Sequence, residues 1–340
     1  MTREPRPTAL IAMWPEAFAE QFDEVRIGRL ESLVELVSPQ PVVDLDDELL
    51  AADLARVEVL VTSWGAQQLT AERLARMPAL RAVFHCAGTV RGIATDAFWA
   101  RGITITSAAD ANAIPVAEFT FASIVLADKR AQFLAREPLA HRTEDWRNRL
   151  LTHGYSNLGR TIGVVGFSRI GRRVVALLRQ LEDVEILVAD PYVDAETIAA
   201  AGATLTTLDE LLRRVDVLSL HAPELPETRH MVGAAELALL HDGATVVNTA
   251  RGSLIDTEAL VAECSAGRLD AVLDVTDPEP LPVDSPLYRL PNVSMTPHIA
   301  GSLGSETRRL SDAALDELAR WTLGLPLESE VVFADLGVSA

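Results

Sequence analysis

Two cysteines in 340 residues, Cys86 and Cys264, exclude a disulfide framework and a cysteine-built metal centre, and they fit a reducing, cytoplasmic compartment. Positive charge is also scarce: 30 lysines and arginines against 49 acidic residues leave a formal charge of −19. Nucleic acid and anionic membranes are poor partners for such a chain, because their phosphates are held chiefly by clustered cations. A small anionic substrate is not excluded, since one local site can oppose the net field. Every long apolar stretch is broken by charge, glycine or proline, so no membrane span is expected. The opening MTREPRPTALIAMWPEAF is interrupted at Pro15 and Glu16, too early for a secretory leader. Repeats and low-complexity tracts are absent, and the histidines His85, His141, His153, His230 and His241 show no metal-ligand spacing.

What is present is a stretch from Arg160 to Pro191, RTIGVVGFSRIGRRVVALLRQLEDVEILVADP, that reads as strand, glycine turn, helix and second strand. Ile162, Val164 and Val165 form the apolar run. Ile170, Val174, Leu177, Leu178 and Leu181 then recur at helical spacing. Gly166 permits the sharp turn and Gly171 permits close packing of helix on sheet, while the free N–H groups around Ser168, Arg169 and Ile170 face a pyrophosphate at the positive end of the helix. Ser168 stands where the usual dinucleotide pattern has its middle glycine; its Cβ crowds the phosphate approach and its hydroxyl can donate in compensation. Asp190, about twenty residues past the turn, suits the two ribose hydroxyls of NAD and repels a 2′-phosphate. Arg172 or Arg173 could soften that repulsion. NAD, used as NADH, is the expected cofactor.

The length predicts two domains. In the first hundred residues ALIAMW, PVVDL, VEVLVTSW, LRAVFHCAG and GITITSAA read as strands, with a helix from Ile27 to Leu36 and another from Thr70 to Arg76 between them. Parallel pairing with crossover helices follows. A second series holds the glycine turn, then LTTLDELL, VDVLSLHAP, GATVVNTARG, LDAVLDV and NVSMTPH as strands. The expected fold is α/β, with two Rossmann-like parallel-sheet domains. The outer, substrate domain is discontinuous, residues 1–109 and 305–340, and the dinucleotide-binding domain is residues 110–304. A helix from Pro115 to Gln132 is expected to cross between domains, an amphipathic helix runs from Ser305 to Leu323, and the active site is expected in the interdomain cleft. The charged, tryptophan-bearing stretch from Arg136 to Leu151 fits neither sheet and reads either as an arm that packs on a second subunit or as a surface excursion.

Three polar residues follow strand ends of the second series: Arg251 in VVNTARGSLID, Glu279 in LDVTDPEPLP and His298 in VSMTPHIAGS. Open α/β sheets place ligands at such ends. With the glycine turn, ANAIPVAEFT from residue 111 and HAPELPETRHMV from His221, they resemble the family of D-isomer-specific 2-hydroxyacid dehydrogenases, over most of the chain. The resemblance implies catalytic roles for all three. His298 exchanges the proton of the substrate oxygen, Glu279 orients the imidazole and stabilises its protonated form, and Arg251 forks onto substrate carboxylate and carbonyl. It also sets His221, Ala222, Pro223, Thr249 and Ala250 against the cofactor, Asp274 on the nicotinamide carboxamide, and the turn Ala87, Gly88, Thr89 as the substrate loop, with Gly88 opening a backbone nest. Trp64 and Gly65 read as a wall for the substrate side chain, or as core. Arg91 reads as a surface ion-pair partner or a contact to a second anionic group. The implied activity is NADH-dependent interconversion of a small 2-keto acid and a D-2-hydroxy acid by a homodimer, with no metal. A phosphite-type dehydrogenase and a nucleotide-responsive, corepressor-like binding module are the alternatives.

Overall fold

The computed structural model describes residues 6–135 and 155–334. The segment read as a possible arm, residues 136–151, lies outside the described residues, as do His141 and His153. Two units are present: Met1–Asn112 with Ser302–Ala340, and Ala113–Gly301.

The first unit is built on β1 (Thr8–Ala12), β2 (Glu35–Leu36), β3 (Val59–Thr62), β4 (Ala82–His85) and β5 (Thr104–Ser107), all parallel, in the order β2-β1-β3-β4-β5. β3 and β4 are buried on both faces and therefore read as continuous apolar runs rather than alternating ones. The helix Thr307–Thr322 completes one face, placing Ala314, Leu315 and Leu318 in a cluster with Ile11, Val61 and Phe84.

Three expectations are corrected here. PVVDL is not a strand: Pro41 lacks the N–H a ladder needs, and only Val42 bridges to Ala12. The second strand comes instead from Glu35 and Leu36, because the preceding helix, capped by Asp23, starts at Glu24 and ends at Leu33. The helix expected to open at Pro115 runs Ala109–Asp128: Asn112 N already bonds to Ala108 O, so a turn precedes the proline. Arg130, at φ 50°, breaks the helix before Gln132. By length and composition that helix could cross a bilayer, but its Ala117, Ile124 and Ala127 lie in a core cluster with β6 and its neighbours.

The second unit carries β6 (Thr161–Val165), β7 (Glu185–Ala189), β8 (Thr204–Leu205), β9 (Val217–Leu220), β10 (Thr245–Asn248), β11 (Asp270–Leu273) and β12 (Val293–Met295). They are parallel, in the order β12-β11-β10-β9-β6-β7-β8. The chain leaves β6 outward through β7 and β8, then returns to β9 on its other side. The crevice at the carboxyl ends of β6 and β9 is thus a topological switch point, the place where such sheets bind ligands. LTTLDELL, expected as strand, is strand only at its first residue, Leu205; Thr207 and Glu210 form a reciprocal capping box that starts a helix at Leu208.

At the amino ends of this sheet, charge is buried. Arg160 Nη1 lies 2.9 Å from Asp216 Oδ1, and its Nε 3.5 Å from Asp128 Oδ1. Asp128 Oδ2 has no hydrogen-bond partner, and burial pushes this carboxyl up to about 7 despite Arg160. Burial likewise raises Asp270, paired with Arg130, to about 6.

Candidate active site

At the switch point, the backbone after β6 and the backbone after β9 touch. Gly166 has φ 93°, and a Cβ there would sit 2.8 Å from Ala222 N and from the His221 carbonyl carbon. His221 N donates to Val165 O at 2.7 Å. A Cβ on Gly171 would fall 2.0 Å from Gly166 O, so the first turn of the helix Arg169–Leu178 presses directly on the glycine turn. The result is a backbone cradle at a helix N-terminus, which fits a dinucleotide pyrophosphate. Ser168 is the residue before that helix, at φ −86°, outside the left-handed region that favours glycine. Its side chain makes no capping bond, while its carbonyl accepts from Arg172 N and Nε, each at 3.2 Å.

Asp190 is tied to the same turn: Oδ2 accepts from Phe167 N at 2.7 Å and Oδ1 from Tyr192 N at 2.8 Å. Arg172 and Arg173 bond back to carbonyls of their own helix, at Ser168 and Arg169. His221 is buried, its Nε2 2.9 Å from Ser219 Oγ, and burial drives it down to about 3, so the ring is neutral at physiological pH. Thr228 Oγ1 donates to Pro223 O at 2.6 Å and closes the loop behind Ala222. Thr249 and Ala250 are buried at the end of β10. Thr120 Oγ1 spends its hydrogen on Val116 O, so the 2.7 Å contact between Thr120 and Thr249 is donated by Thr249.

Asp274, at the end of β11, anchors the loop that carries His298. Its carboxylate accepts from Thr296 Oγ1 at 2.5 Å and from Ile299 N and Ala300 N at 2.8 Å, and its carbonyl accepts from His298 N at 2.9 Å. These bonds hold His298 at φ 55°. His298 Nδ1 lies 2.8 Å from Glu279 Oε1. An ionised carboxylate only accepts, which places a hydrogen on Nδ1 and leaves Nε2 as the exchanging atom. Glu279, His298 and Asp274 line a cavity of about 520 Å³.

Arg251 is not among the described lining residues of that cavity. It stands at the neighbouring strand end, with Nη1 donating to Ala250 O at 2.6 Å and Nε 3.9 Å from Glu224 Oε2. Ser253 Oγ donates to Glu224 Oε1 at 2.6 Å. Gly252 presses the Arg251 turn against the segment leading to Glu279: a Cβ would lie 2.0 Å from the Thr276 carbonyl carbon. Sequence reasoning missed Glu224, Gly252 and Thr120. Only the glycine after Arg251 carried a signal, as a residue demanded by close approach.

The substrate-loop residues belong to the first unit. Ala87 is buried and its carbonyl accepts from Ala108 N at 3.0 Å. Thr89 is bonded through its backbone to buried His85, which burial lowers to about 4. Gly88 does not need to be glycine for its conformation: its φ is not positive, and a Cβ would meet only Asn112 Nδ2, at 3.7 Å. That backbone therefore has no left-handed residue at Gly88. Trp64 is 37 % exposed at the end of β3, and Gly65, at φ 86°, lies beneath the ring of Trp14, itself 53 % exposed.

The family model for the NAD binding domain of D-isomer specific 2-hydroxyacid dehydrogenases matches residues 124–300, just over half of the chain. This chain belongs to that family. The D-3-phosphoglycerate dehydrogenase of Methanocaldococcus jannaschii is 31% identical over 312 residues, covering 91% of this chain and 58% of that protein. Against this and similar phosphoglycerate dehydrogenases the chain spans little more than half their length. The (S)-sulfolactate dehydrogenase of Chromohalobacter salexigens is 32% identical over 306 residues, covering 89% of this chain and 96% of that protein. A phosphoglycerate oxidoreductase from Rhizobium etli superposes with a TM-score of 0.78 at 26% identity, covering 95% of this chain and 97% of that one. The two parallel-sheet units, with the first one discontinuous, are the architecture of this family, and the matched domain is its NAD-binding domain.

Proposed function

We propose that this chain is an NADH-dependent oxidoreductase that interconverts a small 2-keto acid and a D-2-hydroxy acid. The observation that carries the reading is the 2.8 Å pair of Glu279 and His298, set at strand carboxyl ends of the same sheet that carries the Gly166 cradle. Bound NADH supplies hydride to the keto carbon. His298 delivers a proton from Nε2 to the oxygen as negative charge builds there, and takes it back in the reverse direction. Glu279 fixes the ring through Nδ1 and compensates the positive charge of the imidazolium. Arg251 binds the substrate carboxylate and carbonyl with two parallel N–H groups, a grip that lysine lacks. Gly166, Ser168, Arg169, Ile170 and Gly171 hold the pyrophosphate, Asp190 the ribose, and His221 to Pro223 with Thr249 and Ala250 the nicotinamide half.

Asp274 meets the nicotinamide carboxamide, and its bonds to Thr296, Ile299 and Ala300 also position the His298 loop. Trp64, Ala87, Gly88 and Thr89 form the substrate side of the proposal. A homodimer in the cytoplasm completes the reading, supported by the family resemblance and by two buried, free cysteines; light scattering checks the assembly. The deciding experiment is consumption of NADH, and of NADPH for comparison, with glyoxylate, hydroxypyruvate, pyruvate, phenylpyruvate and phosphonate-bearing keto acids, followed by chiral analysis of the product. NADH oxidation yielding the D-isomer is expected. Nucleotide binding without oxidation by any acceptor would overturn the reading.

A further inference from the structure

The cavity beside the Glu279–His298 pair has a marked composition. Apart from that pair and Asp274, which bonds to the His298 loop, its described wall is Pro280, Leu281, Tyr288, Met295 and Pro297 with Thr276 and Thr296, whose hydroxyls donate to Pro278 O and to Asp274 Oδ1. Among its described lining residues there is no arginine or lysine. Leu281 is buried, and Tyr288 is held over it by a 3.2 Å hydrogen bond from its hydroxyl to Leu281 O. The carboxylates of its described wall are those of Glu279 and Asp274.

We infer that the substrate is a 2-keto acid with an apolar side chain, branched or aromatic, and that this cavity receives it. The inference rests on the proposed dehydrogenase reading and adds the substrate class. The occupant follows from adjacency: the imidazole that serves the keto oxygen is itself part of the wall, so the group next to the keto carbon is the one that enters. At about 520 Å³ the space is of the size that ligand sites take, and its apolar surface gains only from an apolar guest. A phosphate or sulfonate there would meet the carboxylates of Glu279 and Asp274 with no lysine or arginine among the described wall residues to offset them, which opposes binding. In this the chain differs from what the names of its phosphoglycerate and sulfolactate relatives imply for their own substrates.

The test compares kcat/KM for NADH-dependent reduction of pyruvate, 4-methyl-2-oxopentanoate and phenylpyruvate with that of oxaloacetate, 3-sulfopyruvate and 3-phosphohydroxypyruvate. The apolar acids should exceed pyruvate by about tenfold or more, the gain that a few buried methylenes give, and the doubly anionic acids should fall below it. Met295→Lys should cut the efficiency of 4-methyl-2-oxopentanoate far more than that of pyruvate and raise that of 3-sulfopyruvate, whereas Met295→Leu should retain the parent order. A doubly anionic acid preferred tenfold over the apolar ones, or Met295→Lys acting equally on both classes, overturns the inference and leaves the dehydrogenase reading standing. Absence of turnover with all six acids overturns the inference, and absence with glyoxylate and hydroxypyruvate as well overturns both.

Discussion

His298 keeps a left-handed backbone, a conformation that a residue with a Cβ adopts only when its surroundings impose it. Asp274 imposes it, through bonds to the residues on both sides, and Glu279 then fixes the ring. Replacing His298 by alanine should lower kcat by about 10²–10⁴-fold, the usual size of a general acid–base contribution. Arg251→Ala should cost a comparable factor in kcat/KM, and in both variants NADH affinity, read by fluorescence titration, should stay near the parent value because neither side chain serves the adenosine half. Asp190 spends one lone pair on Phe167 N and one on Tyr192 N, leaving others for ribose hydroxyls. Asp190→Ala should narrow the preference for NADH over NADPH by about tenfold, read as the ratio of kcat/KM for the two cofactors; an unchanged ratio would remove Asp190 from the cofactor site.

Between elements, the decisive contacts are those where only hydrogen fits. Gly252→Ala would drive a methyl into the Thr276 carbonyl carbon, and that backbone cannot withdraw as a flexible side chain would. Destabilisation of about 1–3 kcal/mol is expected, with a lower Tm and a kcat loss as Arg251 and the Glu279 segment part. Gly88→Ala, with only Asn112 Nδ2 in ordinary contact, should leave Tm within a degree or so. These contrasts show what sequence could and could not convey. The strand–turn–helix at Gly166 was legible because local pattern and tertiary need coincide there. Glu279 and His298 were legible as residues at strand ends, and the family motifs paired them. LTTLDELL was misread because its apolar residues suit either period, and the capping box from Thr207 to Glu210 decides for helix. PVVDL failed for the opposite reason: its propensity favours a strand, but Glu35 and Leu36 occupy the edge of β1. Glu224 was invisible, since nothing local tells that it will face Arg251 across a turn.

For the molecule as a whole, acid excess and buried carboxyls act in the same direction. Asp128 is ordinarily near 3.8 and is raised to about 7 in the fold, so the folded state prefers its neutral form. Its contribution to stability is complete below about pH 4 and is lost as pH rises through 7; Asp270, raised to about 6, loses its own share somewhat earlier. Mutual repulsion within a chain of charge −19 adds to that decline. Asp128→Asn should therefore raise Tm at pH 8, change it little at pH 5, and flatten the profile between them; a variant equally destabilised at both values would remove this carboxyl from the balance. The interrupted first unit has a further bearing, on synthesis. The nucleotide-binding unit is written in one uninterrupted stretch and has its whole core available once residue 301 has left the ribosome. The first unit must wait, with Phe84 and Ile11 lacking the cover of Leu315 and Leu318, for a helix that emerges after the nucleotide-binding unit. In a nascent chain the later-encoded unit is thus the one able to finish first, and the apolar surface left waiting near the start is the surface that a chaperone would meet.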